Sequence, residues 1–256
     1  YAILNADDPF TSAIAEATSA QILTYGIDSE ADIRAVEIRA EARISRFTVV
    51  VRGEERASVS LPQPGSHSIS NALAALSVGI VKRIPLSVLA ERADQVEPIP
   101  GRTEFFRRDD GVDAVVDFAH NPSSLEVILK FLRSEYPRII ALFGCPGDGE
   151  HEKRAAMGEV SGRWADAIVL TSDNPKNEDP RVIVDEIQAG IGKSRVPVTV
   201  ILDRERAIQA SVSQARAGDI VLLAGKGHET DQLIGDNRFP HADADVLRRL
   251  GFAGDI

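Results

Sequence analysis

The 256-residue chain lacks the features of secreted, membrane-spanning or nucleic-acid-binding proteins. Its single cysteine, Cys145, cannot form an internal disulfide and follows an apolar run, which is typical of a buried, inert thiol in a cytoplasmic protein. No apolar run reaches the roughly 20 residues that a membrane helix needs, and we expect no secretory leader. The formal net charge of −10 provides no basic face for nucleic acid. These absences predict a soluble, cytoplasmic protein that binds neither nucleic acid nor membrane.

The P-loop signature G-x-x-x-x-G-K-[ST] is also missing from the chain. What the sequence does have is a lysine, Lys226, between Gly225 and Gly227, directly after the apolar run 220–224. Two residues without Cβ let the backbone approach a ligand while the ammonium group reaches it. A tight exit from a strand, with the lysine in solvent, explains this triplet equally well.

The hydrophobic pattern changes near residue 100. Polar and apolar residues alternate over 31–51, which predicts an antiparallel, half-exposed sheet. A hairpin turn at 52–55, a strand at 56–61 and a helix over 70–81 follow, and residues 98–101 form the strongest boundary. The apolar members of the alternation are Val36, Ile38, Ala40, Ala42, Ile44, Phe47 and Val49.

Beyond that boundary, apolar strands alternate with amphipathic helices. The strands are predicted at 114–116, 139–143, 167–170, 198–202 and 220–224. The helices are predicted at 123–132, 153–164, 181–191 and 204–215. This alternation predicts an α/β fold with a doubly wound, mostly parallel sheet, in which ligands bind at the carboxyl ends of the strands.

Polar segments follow three of these strands. Residues 173–176, Asp-Asn-Pro-Lys, follow one strand, and the proline constrains the backbone so that the side chains fan outward. Glu229 follows the glycines, where a carboxylate can hold the ammonium group of an amino acid. Asp117 and His120 follow a third strand, at a common ligand position. Taken singly, each segment is also typical of ordinary turns and helix caps.

These segments occur with Asn-Ala-Asp-Asp-Pro at 5–9 and Pro-Gly-Arg at 100–102, and in this order the chain resembles the Mur ligases, nearest to the MurE type. Mur ligases make the peptide stem of bacterial cell-wall precursors, and the MurE type adds the third residue. The resemblance implies that residues 1–99 are the C-terminal part of the central ATPase domain and that residues 100–256 are the C-terminal domain. It also implies that the UDP-sugar domain, the P-loop and the magnesium ligands precede residue 1.

The resemblance implies binding residues, but no catalytic residue and no metal ligand, within the chain. The residues implied for ATP are Asn71, Arg102, Asp117 and His120. The residues implied for the incoming amino acid are Asp173, Asn174, Lys176, Gly225 and Glu229. Two positions depart from the family pattern, since Phe118 replaces a tyrosine and Ser68 replaces an asparagine.

The implied reaction is ATP-dependent amide formation, with Mg²⁺ held outside this chain. ATP phosphorylates the terminal carboxylate of UDP-N-acetylmuramoyl-L-alanyl-D-glutamate, and the amine of a diamino acid attacks the acyl phosphate. The 256 residues alone are predicted to be inactive, because the P-loop and the magnesium ligands are missing. Two alternatives stay open: a Mur-fold ligase of the folylpolyglutamate or cyanophycin synthetase type, which Asn121-Pro122 slightly favours, and a non-catalytic binding module.

Two positions bear on the choice of amino acid. Lys176 and Gly149 stand where ligases that add diaminopimelate carry arginines, whose planar forks bind carboxylates at two points. The sequence therefore favours lysine or ornithine, with one carboxylate each, over diaminopimelate.

Overall fold

A computed structural model describes residues 1–40 and 43–254 of the chain. The chain divides into two compact units, Tyr1–Pro98 and Ile99–Ile256. None of the helices in the described ranges is both long and apolar enough to cross a membrane.

The first unit contains a five-stranded sheet in the order β1-β2-β3-β4-β5. Its elements are β1 (Ala2–Asn5), α1 (Thr11–Glu16), β2 (Ile22–Gly26), β3 (Ile33–Ala40), β4 (Ser45–Val51), β5 (Glu55–Leu61), α2 (Ser66–Val81) and α3 (Leu86–Ala93). β1, β2 and β3 are parallel, whereas β3, β4 and β5 pair antiparallel, as the alternating pattern predicted. The apolar side chains of α2 and α3 pack with one face of this sheet into a single core, which includes Ile33, Val49 and Leu73.

The alternation predicted over 31–51 does not hold along the whole of β3. Ile33 and Ala35 are buried, whereas Ile38 is 38% exposed. The pairing of β3 with β4 shifts between Val36 and Arg39, and Glu37 between them has a positive φ of 54°. Because such an irregularity adds a residue to one strand, it breaks the two-residue period on which the prediction rested. Ala42, another apolar member of the alternation, lies outside the described residues.

The predicted start of the helix at Ser70 is also wrong, because α2 begins at Ser66. Gly65 precedes it with a φ of 91°, a conformation that glycine adopts without strain. Ser68 lies in the first turn and donates its hydroxyl to the carbonyl of Pro64 at 2.8 Å.

The second unit is built on a seven-stranded sheet in the order β10-β9-β8-β11-β7-β6-β14. Its elements are β6 (Glu104–Arg108), β7 (Asp113–Asp117), α4 (Pro122–Glu135), β8 (Ile139–Phe143), α5 (Glu152–Trp164), β9 (Ala167–Leu170), α6 (Pro180–Ile191), β10 (Val198–Val200), α7 (Arg204–Ser213), β11 (Ile220–Ala224), β12 (Asp231–Ile234), β13 (Asn237–Pro240), α8 (Asp243–Arg249) and β14 (Phe252–Gly254). The first five strands of the sheet are parallel. At one edge β6 pairs antiparallel with β7, and β14 pairs antiparallel with β6. β12 and β13 form a separate hairpin.

Helices cover both faces of this sheet, which confirms the predicted doubly wound fold. Leu129 of α4, Met157 of α5 and Ile187 of α6 pack on one face. Ile208 of α7 and Leu247 of α8 pack on the other face. β8 and β11 are buried along their whole length, as strands covered on both faces must be. Since β11 lies between β7 and β8, the loops after these three strands and after β9 meet at one edge of the sheet.

Candidate functional site

Three polar side chains interlock where β9 and β11 end. Lys226 is 0% exposed, and its Nζ donates to Oδ1 of Asn174 at 3.0 Å and to Oε2 of Glu229 at 2.7 Å. Nδ2 of Asn174 donates to the same Oε2 at 2.8 Å. No described residue donates a hydrogen bond to Oε1 of Glu229, whose side chain is 31% exposed. We call Lys226, Asn174 and Glu229 the amine cluster, because Oε1 of Glu229 is left without a donor and can accept hydrogen bonds from an amine.

The two flanking glycines suggested that the lysine points outward, to a ligand or into solvent. The structure shows a buried lysine instead. It turns into the protein and contacts two residues that the sequence assigned to the amino-acid site. Lys226 was not predicted as a part of that site, since a lysine is rarely buried without a partner and one of its two partners, Asn174, is 52 residues away.

The hairpin β12–β13 supports the loop that carries Asn174. The backbone N–H of Leu233 donates to Oδ1 of Asn174 at 2.9 Å, and Nε2 of Gln232 donates to the carbonyl of Asp173 at 2.6 Å. The N–H of Lys176 donates to the carbonyl of Leu233 at 3.1 Å. This hairpin was not predicted from the sequence, although Gly235-Asp236 between two short strands is a hairpin signal.

Lys176 is not part of the amine cluster. Its side chain lines a cavity of about 490 Å³ formed with residues of β12, β13 and the starts of α6 and α7. Neither Asn174 nor Glu229 lines that cavity.

Gly225 permits the close approach of two loops. It has a φ of 106°, and a Cβ at this position would lie 2.8 Å from Oδ2 of Asp173. A larger residue would therefore be strained and would displace the carboxylate. The sequence predicted that Gly225 lets the backbone approach a ligand; the neighbour that the structure shows is Asp173, and the approach to a ligand stays a prediction.

Asp173 is a buried carboxyl group, 5% exposed. Burial raises its pKa above the usual value, and the cationic groups of Arg204 and Lys226 oppose this effect. Arg204 forms a two-point ion pair with Asp243, Nε to Oδ1 at 2.8 Å and Nη2 to Oδ2 at 2.6 Å, and both side chains are fully buried. Nη2 also donates to the carbonyl of Ala224 at 3.1 Å, so this pair supports the end of β11 just before the glycines.

A second group of predicted residues surrounds the end of β7. Oδ2 of Asp117 accepts from the N–H of Thr103 at 2.8 Å, and Oδ1 accepts from the N–H of Ala119 at 2.8 Å. The guanidinium carbon of Arg102 lies 4.5 Å from the ring centre of Phe118. The ring of His120 lies 4.7 Å from the same ring. The structure therefore brings Arg102, Asp117 and His120 together, whereas Asn71 is exposed on α2 of the first unit.

Two family models match the chain. The model described as "Mur ligase middle domain" matches residues 1–79. The model described as "Mur ligase, glutamate ligase domain" matches residues 101–227. The chain belongs to the Mur ligase family.

Curated Mur ligases similar to this chain are named UDP-N-acetylmuramoyl-L-alanyl-D-glutamate–2,6-diaminopimelate ligase. The protein from Caldanaerobacter subterraneus subsp. tengcongensis is 37% identical over 249 residues, which is 97% of this chain and 51% of that protein. The protein from Syntrophomonas wolfei is 38% identical over 254 residues, 98% of this chain and 51% of that protein. The chain thus spans about half the length of the curated relatives it matches.

Solved structures of Mur ligases share the fold. A UDP-N-acetylmuramoyl-L-alanyl-D-glutamate–2,6-diaminopimelate ligase is 33% identical with a TM-score of 0.62, covering 96% of this chain and 52% of that one. The MurF ligase from Thermotoga maritima in complex with ADP has a TM-score of 0.65 at 17% identity, covering 87% of this chain and 49% of that one. At that identity the likeness to the Thermotoga protein shows the fold alone.

Among the described residues of this Mur ligase chain, His151, Glu178 and Glu186 are spaced closely enough to hold a metal ion. The carboxylates of Glu178 and Glu186 already accept hydrogen bonds from the buried guanidinium of Arg154, whose Nη1 lies 2.6 Å from Glu178 and 2.8 Å from Glu186. An arginine in this position supplies the positive charge that a cation would bring, so these residues do not fit a magnesium ion.

Proposed function

We propose that the protein carrying this chain is an ATP-dependent ligase that joins a diamino acid to UDP-N-acetylmuramoyl-L-alanyl-D-glutamate. The observation that carries this proposal is the amine cluster, in which Oε1 of Glu229 is left to accept hydrogen bonds from an ammonium group. Charge-assisted hydrogen bonds of this kind are the strong ones in proteins. The names of the curated relatives support the same pair of substrates.

The nucleotide is proposed to bind through Arg102, Asp117 and His120 of the second unit; the resemblance assigns Asn71, on the first unit, to adenine. These residues fit a nucleotide, because Arg102 is exposed and Asp117 keeps acceptor capacity beside its two backbone donors. When bound, ATP supplies the phosphoryl group that activates the substrate carboxylate. The role of this chain is to orient the amine and to stabilise phosphate charge with the Arg102 guanidinium.

The alternative ligases rest on Asn121-Pro122, for which the structure offers a local explanation. Asn121 caps α4, with Oδ1 accepting from the N–H of Ser124 at 2.9 Å, and Pro122 occupies the first turn of the helix. This geometry is a common way to begin a helix and needs no particular substrate.

The choice of diamino acid is a separate part of the proposal. Lys176 and Gly149 favour lysine or ornithine, because two arginine forks for a second carboxylate are missing. The relatives named above are diaminopimelate ligases, and a lysine such as Lys176 can also pair with a carboxylate.

The experiment is to measure ADP release and UDP-tripeptide formation by the intact protein that carries this chain, as substrates are omitted one at a time. We expect both to require the dipeptide substrate and a diamino acid, and neither to occur with the 256-residue chain alone. Glu229→Gln should raise the KM for the diamino acid by about tenfold or more. The matched control is Glu135→Gln, at an exposed glutamate of α4. A KM for Glu229→Gln within twofold of the control would refute the proposed role of Glu229.

A further inference from the structure

Lys226 is the fully buried member of the amine cluster. An ammonium group in the protein interior is stable only when hydrogen-bonded partners replace its water. Both of its partners, Asn174 and Glu229, are residues of the proposed amino-acid site, at 3.0 Å and 2.7 Å. The side chain is 0% exposed, so it has no surface with which to touch a ligand directly.

The hydrogen bonds of Lys226 determine the orientation of both neighbours. Asn174 accepts from Lys226 and from the N–H of Leu233 with Oδ1, so its Nδ2 must face Glu229. The carboxylate of Glu229 then receives two donors on Oε2, from Lys226 and Asn174. This arrangement fixes the rotation of the carboxylate and leaves Oε1 as the free acceptor.

We infer that Lys226 is a positioning residue for the amine of the substrate: it holds Glu229 so that Oε1 faces the incoming ammonium group. This inference rests on the proposed function, which supplies the amine. It adds a residue that acts only through Glu229 and Asn174, and it assigns the lysine between the two glycines to the amine rather than to a phosphate.

The positioning role and a simple charge effect predict opposite results for Lys226→Met. By charge alone, removing a cation close to Glu229 would strengthen the binding of a second cation. If Lys226 acts by orienting Glu229, the same change weakens binding, because the carboxylate loses a donor that fixes its rotation. The sign of the effect therefore separates the two.

The test is a double-mutant cycle in the intact protein, with Lys226→Met, Glu229→Gln and both changes together. We expect Lys226→Met to raise the KM for the diamino acid by about tenfold, with a much smaller change in kcat. In the Glu229→Gln background, Lys226→Met should add less than about twofold, because its effect passes through Glu229. Lys193→Met, at an exposed lysine, is the matched control. An unchanged or lower KM, or effects that multiply fully in the double variant, would overturn the inference.

A measurement on the unmutated side chain covers the case in which Lys226→Met does not fold. In the intact protein labelled with ¹⁵N-lysine, the Lys226 ammonium should give a signal that exchanges slowly with water and moves in Glu229→Gln. Adding the diamino acid should leave that protection in place. Rapid exchange, or no response to Glu229→Gln, would overturn the inference. The Glu229→Gln comparison needs no ligand, so it stays informative even if the intact protein makes no tripeptide.

Discussion

The buried ion pair of Arg204 and Asp243 gives the sharpest prediction about stability. Both side chains are 0% exposed, and the two hydrogen bonds between them measure 2.8 Å and 2.6 Å. Nε2 of His241 lies 2.8 Å from Oδ1 of Asp243, and the pairing with Arg204 and His241 outweighs burial and holds the pKa of Asp243 well below its usual value. In Asp243→Asn the guanidinium stays buried without its counter-ion. The carbonyl of Ala224 remains as an acceptor, and Nη1 has no hydrogen-bond partner among the described residues.

Removing one partner from a buried pair costs about 3–5 kcal/mol. Because asparagine keeps one acceptor for Nε, we expect a loss near the lower end, about 3 kcal/mol. The chain has a single tryptophan, Trp164, which lies on α5 of the second unit. Urea unfolding followed by Trp164 fluorescence therefore reports the unit that contains the pair.

Asp245→Asn is the control, since Asp245 is exposed on the same helix and pairs with Arg248 at 2.7 Å. This change should have little effect, because surface ion pairs contribute little. Replacing the pair by Arg204→Met with Asp243→Leu should restore much of the loss, because neither charge of the pair is then buried without the other. A loss below about 1 kcal/mol for Asp243→Asn would show that the pair is not desolvated as described.

Three further predictions concern single carboxylates. Hydrogen bonds from Arg154 lower the pKa of Glu178 to about 2, so the ionised Glu178 stabilises the fold above its unfolded-state pKa and this stabilisation is lost as the pH falls toward 2. The difference in unfolding free energy between the wild type and Glu178→Gln, followed by Trp164 fluorescence, should therefore vanish over that range, and a constant difference would contradict this. Burial raises the pKa of Asp173, so its ionisation costs stability as the pH rises through that pKa. Asp173→Asn should therefore be more stable than the wild type at pH 7 and equal to it below the unfolded-state pKa, whereas a less stable variant at pH 7 would refute this. In the intact protein, Asp117→Ala should weaken ATP binding by about 1–3 kcal/mol and leave the KM for the diamino acid unchanged. An equal rise in the Kd for ATP and in the KM for the diamino acid would mean that Asp117 only holds the loops of Thr103 and Ala119 in place.

The parallel sheet of the second unit was predictable because its central strands are covered on both faces. β8, β9 and β11 begin and end at the predicted residues, since a strand buried on both sides is a continuous apolar run. β10 ends two residues before the predicted bound, at Val200, where it is only half-buried. β12 and β13 were not predicted, because four-residue strands with half-exposed or exposed side chains carry little periodicity.

The candidate site was predictable in its composition but not in its connections. Motif order pointed to Asn174, Gly225 and Glu229, and the structure joins Asn174 to Glu229 by a hydrogen bond and brings Gly225 close to Asp173. The contact of Lys226 with Asn174 joins residues 52 positions apart, and the contact of Leu233 with Asn174 joins residues 59 apart. Local patterns carry no information about such pairs. The same limit hid Arg204 and Asp243, whose burial depends on a partner 39 residues away.

The most direct test of the central claim is a competition among amino acids in the intact protein. The protein is supplied with ATP, UDP-N-acetylmuramoyl-L-alanyl-D-glutamate and equal amounts of L-lysine, L-ornithine, meso-diaminopimelate and L-glutamate. The product is identified by its mass. The account takes the ammonium group at Glu229 to be that of the amino acid's side chain, which glutamate lacks. The product should therefore contain a diamino acid, and we expect lysine or ornithine because Lys176 and Gly149 replace two arginines. A preference of about tenfold for diaminopimelate, about 1.4 kcal/mol, would refute that choice within the diamino acids. A product that contains glutamate, or no tripeptide at all, would contradict the central claim.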